Sequence, residues 1–452
     1  MPENGFDVAI VGGGPGGATA AYFLSRAGLR TLLIDKAKFP RDKSCGDAVC
    51  GRSVDILREI GLDPPLLGKG YLRPSGQIFY NMRGDGLEIP FVTPGGRHHA
   101  NGGSHAKTNG SPPPGATNGS PVHRTNGAPS QARAYVIPRT IFDDMLFQHA
   151  KRQPNVTALE GMAFTDLLRE NGRITGIVTT DDERREHRFR ASIVMGADGA
   201  LSRVAEVVGA YNFRTRRHEH WIGAFRIYYR DIAGTSDRIE IHFLKDLMPG
   251  YLWIFPAGDG LANVGAGMVE SYLVGGNGTP KINLKKTTYS LIASHPRLRA
   301  RFAGAQEVDG SFRGWQLPCG SERRAIAGDG WMLIGDAASL IDPFSGEGIH
   351  NAMLSGKLAA EQAAVAVRNG TVNKGGLAPY ETTVWSELGR ELASAYRLQK
   401  MLFHPASRWL LDTLVHRAAR RPRLREAIVE MMAKGELDRL AEPLTCARLF
   451  LQ

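Results

Sequence analysis

The chain has 452 residues, 42% of them hydrophobic, and a formal net charge of +11. It is long enough to bury a large core and to form two or three interlocked domains, and without a run of about 20 apolar residues it carries no membrane-spanning helix. The positive excess gathers in Arg214 to His220 and Arg417 to Arg425, away from interleaved aromatics, so a nucleic-acid partner is excluded and weak peripheral attraction to anionic lipid is expected instead.

In chain order, Phe6 to Val11 reads as a strand, followed by a glycine loop, a helix from about Gly16 to Arg26 and a second strand from Thr31 to Ile34, which is a βαβ unit. From residue 94 to 133 the composition shifts to Gly, Asn, Ser, Pro and His, with Asn-Gly repeated at Asn101, Asn109, Asn118 and Asn126. This stretch cannot bury enough apolar surface to order itself, so it reads as an exposed insertion. Order resumes at Tyr135, and Ile141 to Ala150 reads as an amphipathic helix. A β-rich stretch follows, with strands expected at Asn155 to Leu168, Ile174 to Thr180, Arg188 to Ala197, Trp221 to Tyr229, Arg238 to Phe243, Tyr251 to Phe255 and Ala262 to Met268. Trp331 to Ile334 reads as a buried strand, Gly346 to Val367 as an Ala-rich helix, and the chain from Tyr380 as mostly helical with a basic amphipathic end.

Gly12-Gly13-Gly14-Pro15-Gly16-Gly17 satisfies G-x-G-x-x-G between a strand and a helix, and Asp35 closes the second strand about twenty residues on. Gly12 permits the tight turn, Gly14 lets the backbone approach a pyrophosphate, Gly16 opens the helix and Gly17 lets helix and strand pack closely. The helix N-terminus faces the negative charge, and Asp35, with Lys36 beside it, is placed to meet a ribose. Spacing of this kind points to a dinucleotide.

Two further motifs carry a resemblance that narrows the cofactor to FAD. Gly335-Asp336 followed by Asp342-Pro343 and Gly346-Glu347-Gly348-Ile349 resembles the second FAD fingerprint of the hydroxylase-type flavoproteins. Gly196-Ala197-Asp198-Gly199 resembles the Asp-Gly motif of the same group. The resemblance implies that Asp336 holds flavin-side hydroxyls, that Gly348 and Ile349 bring backbone N–H groups to the isoalloxazine, and that Asp198 lies at the cofactor. It also carries Arg139 onto the family's arginine before a cofactor-packed helix, and Ala163 onto a backbone contact with adenine. Arg139 reads equally as a helix-capping surface residue, and Ala163 as core.

Phe39-Pro40-Arg41-Asp42-Lys43-Ser44-Cys45-Gly46-Asp47 and Pro249-Gly250-Tyr251-Leu252-Trp253-Ile254-Phe255-Pro256, the latter followed by Asn263-Val264-Gly265, are similar to segments of the geranylgeranyl reductases. That family implies an α/β fold: an FAD-binding Rossmann-like domain, an interleaved antiparallel β-sheet substrate domain and a helical C-terminus. The division expected is 1–93 as the first FAD-binding part with the start of the substrate domain, 94–133 as the insertion, and 134–210 as the second FAD-binding part. The substrate sheet then spans 211–325, a third FAD-binding part 326–370 and a helical region 371–452. The activity implied is saturation of carbon-carbon double bonds in an isoprenoid chain, with a prenyl lipid as substrate. Electrons would come from NAD(P)H, ferredoxin or a separate reductase.

Cys45 and Gly46 fall on the loop that, in this fold, runs beside the flavin; there the Cys45 thiol is a candidate proton source or tuning group, with Lys43 favouring thiolate. Tyr251 and Trp253 are the other candidate catalytic residues. With Phe255 they alternate along one strand and share a face, as substrate wall, sheet core or both. A halogenase or monooxygenase on the same scaffold is the alternative, although Tyr251 and Phe255 depart from the halogenase Trp-x-Trp-x-Ile-Pro. The four cysteines, Cys45, Cys50, Cys319 and Cys446, lack metal-ligand spacing, and no secretory leader precedes the first strand. A reducing, cytoplasmic setting without a metal is therefore expected, with contact at the inner face of the cell membrane.

Overall fold

The computed structural model describes residues 5–62, 70–91, 134–275, 280–404 and 408–433, together with residues 439 and 442. The expected insertion at 94–133 and Cys446 lie outside the described residues.

Two sheets organise the chain. In the first, the strands Trp331–Leu333, Glu186–Gly196, Phe6–Val11, Thr31–Asp35 and Val156–Glu160 run parallel in that order. Val8, Ile10, Leu32, Leu33, Ile34, Ile193 and Val194 are all fully buried, as expected of strands covered on both faces. The helix Pro15–Arg26 covers one side, with proline in its first turn, where its missing N–H costs nothing, and Gly28 at φ +82° just beyond its end. It packs against the helix Ile349–Arg368 through bare backbone, since a side chain at Gly356 would begin 2.3 Å from the Gly16 carbonyl oxygen.

The second sheet is antiparallel except for one pair. Its order is Gln306–Glu307, Trp221–Arg230, Leu261–Val269, Gly250–Gly258, Arg238–His242, Gly76–Tyr80 and Gly86–Pro90, with Arg313–Pro318 also on Trp221–Arg230. Trp253 pairs with Gly265, where any side chain would begin 2.2 Å from the indole ring, so this glycine makes room for the tryptophan.

Two expectations are corrected. The segment Asn155 to Leu168 is two strands, because Gly161 turns the chain at φ +71°: Val156–Glu160 joins the parallel sheet and Ala163–Glu170 pairs with Arg173–Thr180. The helix expected from Gly346 begins at Ile349. Asp342 Oδ1 accepts the N–H groups of Phe344 and Ser345, and Gly346 has φ +72°, so the chain makes a tight turn before the helix can start. The C-terminal region is helical as expected, and its helices Lys374–Phe403, Arg408–Arg420 and Pro422–Ala433 lie on the second sheet. Leu398, Leu402, Leu411, Val415 and Leu424 form one core with Leu87, Ile89, Ile241 and Trp253. In the stretch Trp409-Leu410-Leu411, only Trp409 is widely exposed, at 57%, while Leu411 is 6% exposed, because an amphipathic helix turns its apolar stripe to the protein.

That packing has a measurable cost. Leu411→Ala should lower the unfolding free energy by about 2–5 kcal/mol, the usual loss for a buried leucine. A change below about 0.5 kcal/mol in denaturant unfolding would show that this helix does not close the sheet.

Candidate active site

The first sheet ends at its carboxyl edge in the loop Gly12–Gly14. Gly12 has φ +107°, and a side chain on Gly17 would begin 1.9 Å from the Gly12 carbonyl oxygen, so these glycines are required by the fold itself. Gly14 is different. A side chain there would meet only the Arg41 guanidinium, at 3.4 Å, and would otherwise fill open space in front of the helix. No side chain caps this helix, which leaves its first N–H groups free for an anion. Asp35 accepts the Gly13 N–H at 2.9 Å and the Ala37 N–H at 2.8 Å, tying the end of the second strand to the glycine loop and orienting its carboxylate at the mouth of the cradle. Lys36 follows it, exposed. The Met162 N–H donates to the Asp35 carbonyl at 2.9 Å, so Ala163 lies beside the same edge.

Two cations flank the cradle. Arg41 reaches Asp143 at 2.7 Å and Asp35 at 3.8 Å, and Lys43 reaches Asp336 at 3.3 Å. Asp336 stands beside Gly348, the residue that precedes the helix at Ile349; a side chain on Gly348 would begin 3.4 Å from its carboxylate. An open glycine cradle, an uncapped helix start and two cations fit the pyrophosphate of a dinucleotide. Asp35 at one end and Asp336 at the other fit its sugar and ribityl hydroxyls.

Asp198 lies just past the end of the strand Glu186–Gly196. Its carboxylate accepts the Ser202 hydroxyl at 2.5 Å and the Val204 N–H at 3.1 Å, supporting the first turn of the short helix Arg203–Val207, which Ser202 caps. Arg139 is 4% exposed and forms a two-point ion pair with Asp143, at 2.6 and 2.7 Å, which Arg41 shares. It is therefore neither a surface residue nor a cap. It holds the loop 39–47 against its own helix, Arg139–Lys151.

That loop is pinned from both sheets. The Phe39 N–H donates to Glu160 at 2.8 Å, Arg226 pairs with Asp42, the Ser44 hydroxyl donates to the Arg313 carbonyl at 3.2 Å, and Asn263 donates to the Cys45 carbonyl at 2.8 Å. A side chain on Gly46 would begin 2.8 Å from Phe255, so the loop lies flat on the aromatic row. The row is continuous: the rings of Tyr251 and Trp253, and of Trp253 and Phe255, are 6.1 Å apart centre to centre. At its far end the Tyr251 hydroxyl donates to the Ser345 carbonyl, beside Gly346. Tyr251, Trp253 and Phe255 thus run from the loop of Cys45 to the turn of Gly346. The polar ends of Tyr251 and Trp253 are both engaged within the protein, the Trp253 N–H with Asn263 at 2.8 Å. Burial raises the Tyr251 hydroxyl above its ordinary pKa.

Lys43 does not favour a Cys45 thiolate. Its ammonium is drawn to Asp336, and burial pushes the Cys45 thiol above its usual value, with Arg139 opposing and Asp47 adding to the rise. Cys45 is held as the thiol. Cys50, one strand further on, donates to Glu347 at 2.7 Å and braces the turn before the second helix.

Sequence reasoning did not single out Asp47, Tyr228 or Asn263 as site residues. Asp47 and Asn263 are both 0% exposed; Asp47 accepts from Tyr228 at 2.5 Å and from Asn263 at 2.7 Å. Asp47 sits inside the Cys45 motif and Asn263 beside Gly265, so position gave a hint; their burial and mutual contact come from two sheets meeting.

Residues 5–384 match the FAD-binding domain family. The chain belongs to that family. This FAD-binding protein is 29% identical over 393 residues to a menaquinone reductase of Mycolicibacterium smegmatis, covering 85% of this chain and 80% of that one. It is 30% identical over 364 residues to the menaquinone reductase of Mycobacterium tuberculosis, covering 79% and 76%. To digeranylgeranylglycerophospholipid reductase 2 of Methanopyrus kandleri it is 27% identical over 437 residues, covering 95% and 93%. Among solved structures, a geranylgeranyl bacteriochlorophyll reductase-like protein of Thermoplasma acidophilum superposes with a TM-score of 0.73 at 23% identity, over 92% of each chain. The flavin-dependent brominase Bmp2 superposes at 0.68 with 21% identity, so the two solved structures show the fold they share.

The two kinds of glycine separate cofactor binding from folding. Gly14→Val should give folded protein that retains little FAD, because each lost charge-assisted contact is worth about 1.5–3 kcal/mol and two of them weaken retention about 10²- to 10⁴-fold. Gly17→Ala should instead lower the melting temperature. Equal FAD occupancy in Gly14→Val and wild type, measured by flavin absorbance after desalting, would remove the cradle.

Proposed function

We propose that this chain is an FAD-dependent reductase that saturates carbon-carbon double bonds of an isoprenoid chain, with the tail of a menaquinone or a geranylgeranyl lipid as substrate. The observation that carries the reading is the unbroken aromatic row from the Cys45 loop to the Gly346 turn, together with relatives named as reductases of such molecules along most of the chain. The brominase likeness, at lower identity, supports the fold without favouring halogenation.

An isolated trisubstituted alkene accepts hydride poorly, because cationic character must grow on carbon. Bound FAD supplies the hydride. The protein must hold the chain still, keep water away and deliver a proton to the other carbon. Tyr251, Trp253 and Phe255 offer an apolar wall with its polar atoms already satisfied, so an isoprenoid chain meets no unpaired group there. Cys45, kept as the thiol, is the candidate donor. The electron donor is NAD(P)H, ferredoxin or a separate reductase. Among the described residues no helix is long and apolar enough to cross a membrane. Contact with a bilayer is assigned to exposed Trp409 and the exposed Arg421, Arg423 and Arg425.

Incubating dithionite-reduced enzyme with a menaquinone bearing an unsaturated tail should yield a product heavier by two hydrogens. Cys45→Ala should keep its FAD and lose about 10²- to 10⁴-fold of that activity, the range of a positioned proton donor, with Cys45→Ser in between. An unchanged lipid mass with both a menaquinone and a geranylgeranyl lipid would overturn the reading; wild-type turnover in Cys45→Ala would reduce Cys45 to packing.

A further inference from the structure

The strand Arg313–Pro318 pairs on one side only, with Trp221–Arg230, so among the described residues its other side is an open sheet edge. An open edge offers unpaired N–H and C=O groups, and proteins commonly blunt it with charge or cover it. This one also carries large apolar rings. Trp315 on the strand is 45% exposed and Phe312 just before it 37%. Tyr272 is exposed on the helix Glu270–Leu273, whose Glu270 accepts the Gln316 amide at 3.0 Å. Aromatic rings gathered on a surface in this way mark a contact face.

The edge is basic as well. Segments 211–220, 281–289 and 306–316 meet along it and hold seven Lys and Arg against three Asp and Glu. Lys285 lies 4.2 Å above the Phe312 ring. Lys285, Lys286 and Arg214 are exposed and form no ion pair among the described residues. Two carboxylates from elsewhere that reach this edge are turned inward: buried Glu270 holds Arg216 at 2.8 Å and His218 at 2.9 Å, and Asp42 holds Arg226 and, at 3.2 Å, Arg313. What faces outward is aromatic rings set among unpaired cations, which suits an acidic partner.

The position of the edge says what such a partner would be for. The Arg313 carbonyl accepts the Ser44 hydroxyl at 3.2 Å, so the strand lies on the outer side of the loop 39–47, whose Lys43 reaches Asp336 beside the cofactor cradle. The chain has a single G-x-G-x-x-G, and the FAD cradle uses it, which leaves no second loop of that pattern for a nicotinamide dinucleotide. The hydrocarbon of a bilayer would leave the outer backbone groups of the edge without partners, whereas a protein surface and its trapped water can bond them.

We propose that this edge, from Lys285 and Phe312 to Trp315 and Arg214, is the docking face for a small acidic protein that carries electrons on an iron–sulfur cluster or a flavin. This rests on the reading of the chain as an alkene reductase and names the source of its electrons. For each double bond, carriers bound there give up two electrons and solvent gives two protons, and all of them end on carbon as two new C–H bonds by way of FAD. Attraction between the basic strip and the acidic carrier sets the rate of encounter, and the rings of Trp315 and Phe312 hold the complex once formed.

The test uses holoenzyme and a reduced acidic plant-type ferredoxin, mixed anaerobically, with loss of oxidised-flavin absorbance as the readout. In wild type the second-order rate should fall about tenfold or more between about 20 and 300 mM salt. Lys285→Glu with Lys286→Glu should slow it about tenfold at low salt and flatten the salt dependence, while leaving reduction by dithionite unchanged. Both positions lie in the first turn of the helix Leu284–Ser294, where acidic residues suit the helix N-terminus, so the variant should fold. Trp315→Ala should raise the ferredoxin concentration for half-maximal rate about tenfold. Equal rates and equal salt dependence in the charge-reversed protein and wild type would overturn the proposal. So would full-rate reduction by NADPH with ferredoxin inert, or a charge reversal that abolishes only sedimentation with phosphatidylglycerol vesicles or only self-association in the ultracentrifuge. Failure of the reduced wild type to saturate any prenyl chain would instead overturn the functional reading, and the flavin-reduction rates would still judge the docking face.

Discussion

Asn263 joins the two halves of this molecule. Its side chain bonds the Cys45 carbonyl and the Asp47 carboxylate on a loop that leaves the first sheet, and accepts the Trp253 N–H on the neighbouring strand of the second. All of these partners except the Cys45 loop are shut away from water, so an unmade bond would leave a buried polar group costing about 1–3 kcal/mol. The loop 39–47 cannot drift from the aromatic row without paying that cost at several atoms at once. The distance between the glycine cradle and the aromatic row is set there.

From this constraint the rest of the site follows. Arg41 and Arg139 share Asp143 and hold the loop from below, Arg226 holds it from the second sheet, and Lys43 ties it to Asp336 in the other cofactor segment. Three stretches of chain far apart in sequence thereby meet around one volume: Gly12–Gly14, Cys45–Asp47 and Asp336–Gly348. The C-terminal helices close the back of the wall, with Leu398, Leu402 and Leu411 in the core that contains Trp253. The C-terminal helices thus share one core with the second sheet.

The cofactor half was legible because it depends on local rules. Gly12, Gly14, Gly17 and Asp35 stand at spacings that strand, turn and helix impose on any chain. The alternation of Tyr251, Trp253 and Phe255 likewise fixed a shared face, since a strand has a period of two. Contacts between segments were not legible. Lys43 precedes Cys45 by two residues yet is drawn away by Asp336, 293 positions on, while Arg139 is the cation that faces the thiol. The bonds of Asp198 to Ser202 and Val204 come from the local turn and were likewise not read from its motif. The amphipathic C-terminal end shows an apolar stripe in sequence, but only the second sheet shows what receives Leu411. For Lys43 and Leu411 the deciding partner is distant in sequence, and periodicity carries no information about it.

The central claim is that electrons leave this enzyme for carbon. The most direct measurement is anaerobic stopped-flow mixing of reduced holoenzyme with an unsaturated prenyl lipid, followed by the return of oxidised-flavin absorbance and by counting lipid double bonds lost. The account predicts reoxidation without oxygen, with one double bond lost for each equivalent of FAD reoxidised. Enzyme that stays reduced against both a menaquinone and a geranylgeranyl lipid, and reoxidises only when air is admitted, would contradict it.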